Sequence, residues 1–139
     1  MDFVLLLFLV AVLIVGVLLI GIVAYTHRSG AALNKEEYQR RWLATEKRLQ
    51  KHEPSTYPMA IVEADKLLDK ALRERRFRGD TMGARMKSAQ AVWNNANHIW
   101  GAHKIRNRVV HETDIELTYE VAARSMTAYK QGLKDLGAI

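Results

Sequence analysis

The chain has 139 residues, 21 Lys plus Arg against 15 Asp plus Glu, five His, two Pro and no Cys. This length holds one domain of ordinary size and excludes a multidomain enzyme, while the missing Cys excludes disulfide scaffolds, thiol catalysis and thiolate zinc sites. With 49% hydrophobic residues it is too apolar for a disordered charged tail, yet a mean hydropathy of -0.15 is too low for a polytopic membrane protein.

That average conceals two unlike parts. From Phe3 to Thr26 no residue is charged. As a helix rising about 1.5 Å per residue this run covers about 36 Å, more than the hydrocarbon thickness of about 30 Å. A cleavable leader has a shorter apolar core behind Lys or Arg, whereas here only Asp2 precedes the run and no A-x-A site follows Ala24. The segment is therefore expected to remain as an anchor over residues 1–27, with the lipid bilayer as its partner through residues 3–26. Arg28, Lys35, Arg40 and Arg41 follow the span and no basic residue precedes it, which predicts an N-terminus outside and a cytoplasmic C-terminal domain, in a plasma membrane of bacterial type. No ionisable residue lies within the span to carry ions or protons, and Gly16 and Gly21 are not spaced as a G-x-x-x-G pair.

All 21 basic residues follow Tyr25, as do all the acidic ones but Asp2. Residues 28–54 read as a juxtamembrane linker and a stalk helix. In this helix Asn34 caps and Glu37 completes a capping-box pattern, and the helix runs to about His52 with Tyr38, Trp42 and Leu49 on one side. It is expected to be part stalk, part bundle member. Pro54 and Pro58 then bracket a turn, and Pro58 suits the first turn of a helix whose apolar stripe is Ile61, Ala64, Leu68 and Ala71, widened by Leu67 and Leu72, ending near Gly79. Asp80 or Thr81 starts a short helix through Met82, Met86 and Ala89, and Asn94, Asn95 and Asn97 interrupt it.

A fourth helix spans about Asn97 to Glu112. Thr118 caps the last, whose buried face is Ala122, Ser125, Tyr129, Leu133 and Leu136 and which Gly137 stops. No strand pattern survives. The expected fold is all-α: a single N-terminal transmembrane helix followed by an antiparallel bundle of four to five helices, with the bundle proper over residues 55–139. Helix faces that are only partly apolar add the expectation of a homodimer.

The chemistry concentrates on the fourth helix. His103, Asn107 and His111 recur every four residues, with Arg106 beside them, while Ile105 and Val109 lie on another side and can face the core. Two imidazoles without a carboxylate on the same face match no zinc site, so no metal and no cofactor is expected. The run Arg106, Asn107, Arg108, Val109, Val110, His111 resembles the R-x(4 to 6)-H motif of HEPN domains, including the polar residue after the Arg, and the resemblance extends over roughly residues 55–139.

It implies an all-α bundle and, in active members, a metal-independent endoribonuclease formed where two protomers face each other. His111 would serve as general base or acid on the ribose 2′-hydroxyl and the leaving oxygen, Arg106 would neutralise phosphate charge, and Asn107 would orient one of them. His103 would be a neighbouring phosphate contact. In other HEPN-like bundles the same residues join helix ends or seal an interface, which implies instead a non-catalytic module that binds RNA or a protein partner.

The run Arg73, Glu74, Arg75, Arg76, Phe77, Arg78, followed by Arg85 and Lys87, has three readings: a contact for RNA phosphate, a contact for anionic lipid, or a solvated helix end. Glu112, Asp114, Glu116 and Glu120 form an acidic cluster after the motif. Trp42, Trp93 and Trp100 read as core or interface aromatics rather than base-stacking platforms.

Overall fold

The computed structural model describes residues 3–28 and 30–139, the side chains of residues 24–28 excepted. The orientation argument from Asp2 and the Arg28 side chain, and Ser29 of the linker, lie outside the described residues. Six α-helices and no strand occur among those described: α1 (Phe3–Arg28), α2 (Lys35–Arg48), α3 (Tyr57–Glu74), α4 (Met82–Ser88), α5 (Ala96–His111) and α6 (Tyr119–Asp135), with a 3-10 turn at Pro54–Thr56. The chain is all-α and divides into two compact units, residues 1–30 and 31–139.

The first unit is α1. Its stretch Phe3–Val23 has a mean hydropathy of 3.5 and is long and apolar enough to cross a membrane.

The second unit is built around α3, which packs against α2, α4, α5 and α6, while α5 and α6 also pack on each other. The stripe Ile61, Ala64, Leu68, Ala71 and Leu72 is wholly buried, as are Ala122, Tyr129 and Leu133 from the last helix and Ile99 from α5. Close approach of α6 is permitted by Gly132, where a Cβ would lie 3.1 Å from Leu68 Cδ1 and 3.4 Å from Ile99 Cδ1. The α2 helix, expected to be part stalk, packs along α3: Tyr38 and Trp42 are buried in the core. Tyr38 donates to Glu74 Oε2 at 2.8 Å, and Lys70 reaches Glu37 at 3.1 Å. Burial and the Glu74 carboxylate push the Tyr38 phenol well above its ordinary range, so it stays a donor.

Four of the helices, α2, α4, α5 and α6, start behind a capping side chain. Asn34, Thr81, Asn95 and Thr118 each accept the backbone N–H three residues on, at 3.1 to 3.3 Å. The capping box at Asn34 is only half formed, because the Glu37 carboxylate turns to Lys70 and Arg41 instead. Those cations hold it below the usual carboxylate range.

The α3 helix stops at Glu74, five residues before the expected Gly79. Arg76 takes the left-handed conformation (φ 62°), Phe77 N–H bonds to Leu72 O at 3.1 Å, and Arg76 N–H bonds to Arg73 O at 2.8 Å. This is a Schellman closure with Arg where Gly is favoured, unlike the equivalent closure at Gly137 (φ 72°). The stop was hidden because a non-Gly residue carries it.

Arg76→Gly should therefore stabilise the unit by about 0.5–1 kcal/mol by removing the Cβ strain of the left-handed conformation, less the entropy that glycine adds to the unfolded chain. A rise in the urea midpoint of the fragment 31–139, which contains the whole core, checks this. A fall would show that Arg76 contributes more through its side chain than its backbone strain costs.

Candidate functional site

Within its apolar stripe α3 carries two carboxylates one helical turn apart. Asp65 is 2% exposed and Asp69 6%. A charge removed from water must be paired, and each of these is paired by different helices. Asp65 Oδ1 lies 2.8 Å from His103 Nδ1 on α5 and accepts the Tyr129 hydroxyl of α6 at 3.0 Å. Asp65 Oδ2 lies 3.1 Å from Arg106 Nε without hydrogen-bond alignment, so that Nε is buried with no hydrogen bond. Arg106 Nη1 donates to Asn107 Oδ1 at 3.0 Å. Burial, followed by the Asp65 charge, pushes the Tyr129 phenol far above its ordinary value and keeps it protonated as a donor.

Asp69 holds the adjoining segment. Arg85 of α4 donates Nε to Asp69 Oδ1 at 2.8 Å and Nη2 to Asp69 Oδ2 at 3.1 Å, and its Nη1 reaches Gly79 O at 2.6 Å. Arg73 pairs with the same carboxylate. Burial alone would raise the Asp69 pKa, but the hydrogen bonds and charges of Arg85 and Arg73 outweigh it and hold the carboxyl below its usual range.

These pairings form the wall of a 510 Å³ cleft between α3, α4 and α5. Lys66 and Arg73 line it from α3, Gly83 from α4, and His103, Arg106 and Asn107 from α5. The groove between α5 and α6, of 370 Å³, is lined largely by small and apolar residues such as Gly101, Ala102, Ile105 and Val121. The polar cleft is thus where the chemistry of the fourth helix collects.

The cleft takes in His103, Arg106, Asn107 and Arg73 and leaves His111 out. His111 is the last residue of α5 and is exposed. A repeat of four residues drifts about 40° per step around a helix of 3.6 residues per turn, so a stripe that starts inward at His103 reaches solvent by His111. Ile105 and Val109 pack against the core as their positions suggested. Of the basic run, Arg73 and Arg85 are committed to Asp69, Arg76 and Arg78 are exposed, and Arg75 is half-buried with its Nε unpaired. Trp42 and Trp93 are buried, and Trp100 presents its edge to His103 with ring centroids 6.1 Å apart.

Sequence reasoning missed Asp65, Lys66, Asp69 and Gly83. A signal for the two acids was present: carboxylates four residues apart inside the stripe of Ile61, Ala64, Leu68 and Leu72 are out of place unless something pairs them. Their partners were not legible, because they lie on other helices. No group of His, Cys, Asp and Glu among the described residues is arranged to hold a metal ion. Comparison with protein-family models, curated proteins and solved structures finds no match for this chain.

Two outcomes follow from the carboxylates. Asp65→Ala should cost about 3–5 kcal/mol, because it leaves His103 and Tyr129 buried without their acceptor and Arg106 without its counter-charge, against about 1–2 kcal/mol for Tyr129→Phe. Equal urea midpoints for the two variants would refute that ranking. Because the folded pKa of Asp69 is depressed, its stabilisation is complete above its unfolded value of about 3.9 and is lost as pH falls through the lower folded value. The melting temperatures of wild type and Asp69→Asn should therefore differ most at neutral pH and converge as the pH falls below the unfolded value of about 3.9.

Proposed function

We propose that this protein is a membrane-tethered, HEPN-like helical module that faces the cytosol and binds RNA without cutting it, in the cleft between α3, α4 and α5. The observation that carries this reading is the state of the motif helix. His103 and Arg106 are engaged with Asp65, while Lys66, Arg73 and the outer part of Arg106 offer positive charge to whatever occupies the cleft. Arg106 keeps 26% of its side chain exposed and Lys66 is exposed and unpaired among the described residues, so both can meet a phosphate. The apolar α1 supports a bilayer anchor, and the basic residues that follow it support the cytosolic side of a bacterial plasma membrane for residues 31–139.

A second reading, the metal-independent endoribonuclease, is favoured by the exposure of His111 with no partner among the described residues. In a homodimer the His111 of one copy would complete the site begun by Arg106 and Asn107 of the other.

Fluorescence anisotropy of the full chain in detergent with a single-stranded RNA should give binding that weakens as salt rises. Lys66→Ala should lower the magnitude of the log K against log salt slope by about 0.7, the value for one phosphate contact on a single strand. The same RNA should stay intact in EDTA. Cutting that persists in EDTA and disappears in both Arg106→Ala and His111→Ala would replace the binding module with the nuclease.

A further inference from the structure

General attraction of RNA requires cations and space, but it does not require an imidazole held by its far nitrogen. Asp65 Oδ1 engages His103 Nδ1 at 2.8 Å, which fixes the ring and leaves Nε2 as its only free polar atom. That side chain is 10% exposed, and Nε2 has no protein partner among the described residues. Its neighbour across the cleft is Gly83, where a Cβ would lie 4.0 Å from Nε2 and 3.8 Å from the Trp100 ring. The absent side chain leaves open the approach to the one nitrogen whose partner must come from outside.

We propose that the cleft is a receptor for a terminal phosphate monoester, the phosphorylated end of an RNA strand, with His103 Nε2 sharing a proton with the phosphate and Lys66, Arg73 and Arg106 neutralising its charge. This rests on the cleft being the RNA site and goes further by naming which phosphate enters it.

Two physical arguments separate a monoester from the internal diesters of the same strand. A monoester loses its second proton near pH 6, so around neutrality it can exchange a proton with an imidazole. A diester has no such proton to share. The charge balance agrees. Lys66, Arg73 and Arg106 line the cleft with Asp65 and Asp69, Asp69 is further neutralised by Arg85 behind it, and the cationic excess suits an anionic group.

The test uses the full chain in detergent micelles and one short RNA sequence carrying either a 5′-phosphate, a 3′-phosphate or hydroxyls at both ends, read by anisotropy, with inorganic phosphate as competitor. At least one phosphorylated RNA should bind about tenfold or more tightly than the hydroxyl form, and inorganic phosphate should erase the difference. In His103→Asn the amide nitrogen replaces Nδ1 toward Asp65 and Nε2 is deleted, so the preference for phosphorylated RNA should collapse. Gly83→Ala places a methyl at ordinary contact distance from Nε2 and should reduce the preference several-fold with the melting temperature retained. This keeps the test decisive should His103→Asn fold poorly.

Equal affinity for all three RNAs would overturn the terminal-phosphate inference and leave RNA binding standing. Saturable binding of inorganic phosphate with no binding of any RNA would overturn both the strand-end inference and the RNA reading. A preference untouched by both variants would also overturn the inference.

Discussion

The residue on which the second unit depends is Asp65, a carboxylate buried inside the apolar stripe of α3. Removing a charge from water costs several kcal/mol unless partners replace the solvent. Here the partners come from two other helices: His103 and Arg106 from α5, and Tyr129 from α6. An apolar stripe alone tolerates sliding and rotation of one helix on another. A carboxylate that needs three particular side chains does not, so Asp65 fixes the register of α3, α5 and α6 together. Asp69, one turn on, does the same for α4 through Arg85, whose third donor also holds the chain at Gly79.

The same arrangement gives the cleft its polarity. Both acids line the cleft with their oxygens taken up by pairing, and two of the paired cations, Arg73 and Arg106, reach it as well. The groove between α2 and α3 shows the contrast. Its cations Arg41, Arg48 and Lys70 are matched by Glu37, Glu63 and Glu74, none of which is buried. Lys66 borders both grooves and is the cation with no carboxylate of its own among the described residues. Buried acids and more exposed acids thus have opposite consequences for the neighbouring surface.

Most of the fold was legible because its signals are local. The uncharged run from Phe3, the cap residues Asn34, Thr81 and Thr118, and the stripe from Ile61 to Leu72 each act within a few turns of chain. The end of α3 was not legible, since Arg76 occupies a position where Gly is the usual sign. The packing of α2 was half legible: Tyr38 and Trp42 were visible as an apolar side, but that they are buried depends on a face of α3 that pattern alone does not assign. At the candidate site the sequence singled out the polar stripe of α5, of which His103, Arg106 and Asn107 line the cleft and His111 does not. The four-residue spacing of His103, Asn107 and His111 suggested one surface, while the drift of an α-helix and the pull of Asp65 draw only the first part of it inward.

This dependence on Asp65 couples what happens in the cleft to the packing of the unit. Asp65 Oδ1 is shared between His103 and Tyr129, so the direction in which His103 Nε2 points is set jointly by α3 and α6, although α6 does not line the cleft. A ligand that uses Nε2, as proposed above, would favour the state in which Asp65 is held in place by the Tyr129 hydroxyl of α6. Binding then selects the fully packed state over any in which α6 has loosened, and by linkage the unit gains stability in proportion to the logarithm of ligand concentration once the site is saturated. A buried carboxylate that first appears as a cost of folding thereby connects occupancy of the cleft with the order of the whole bundle. Replacing Asp65, His103 and Tyr129 by well-packed apolar residues would retain a bundle and break that connection.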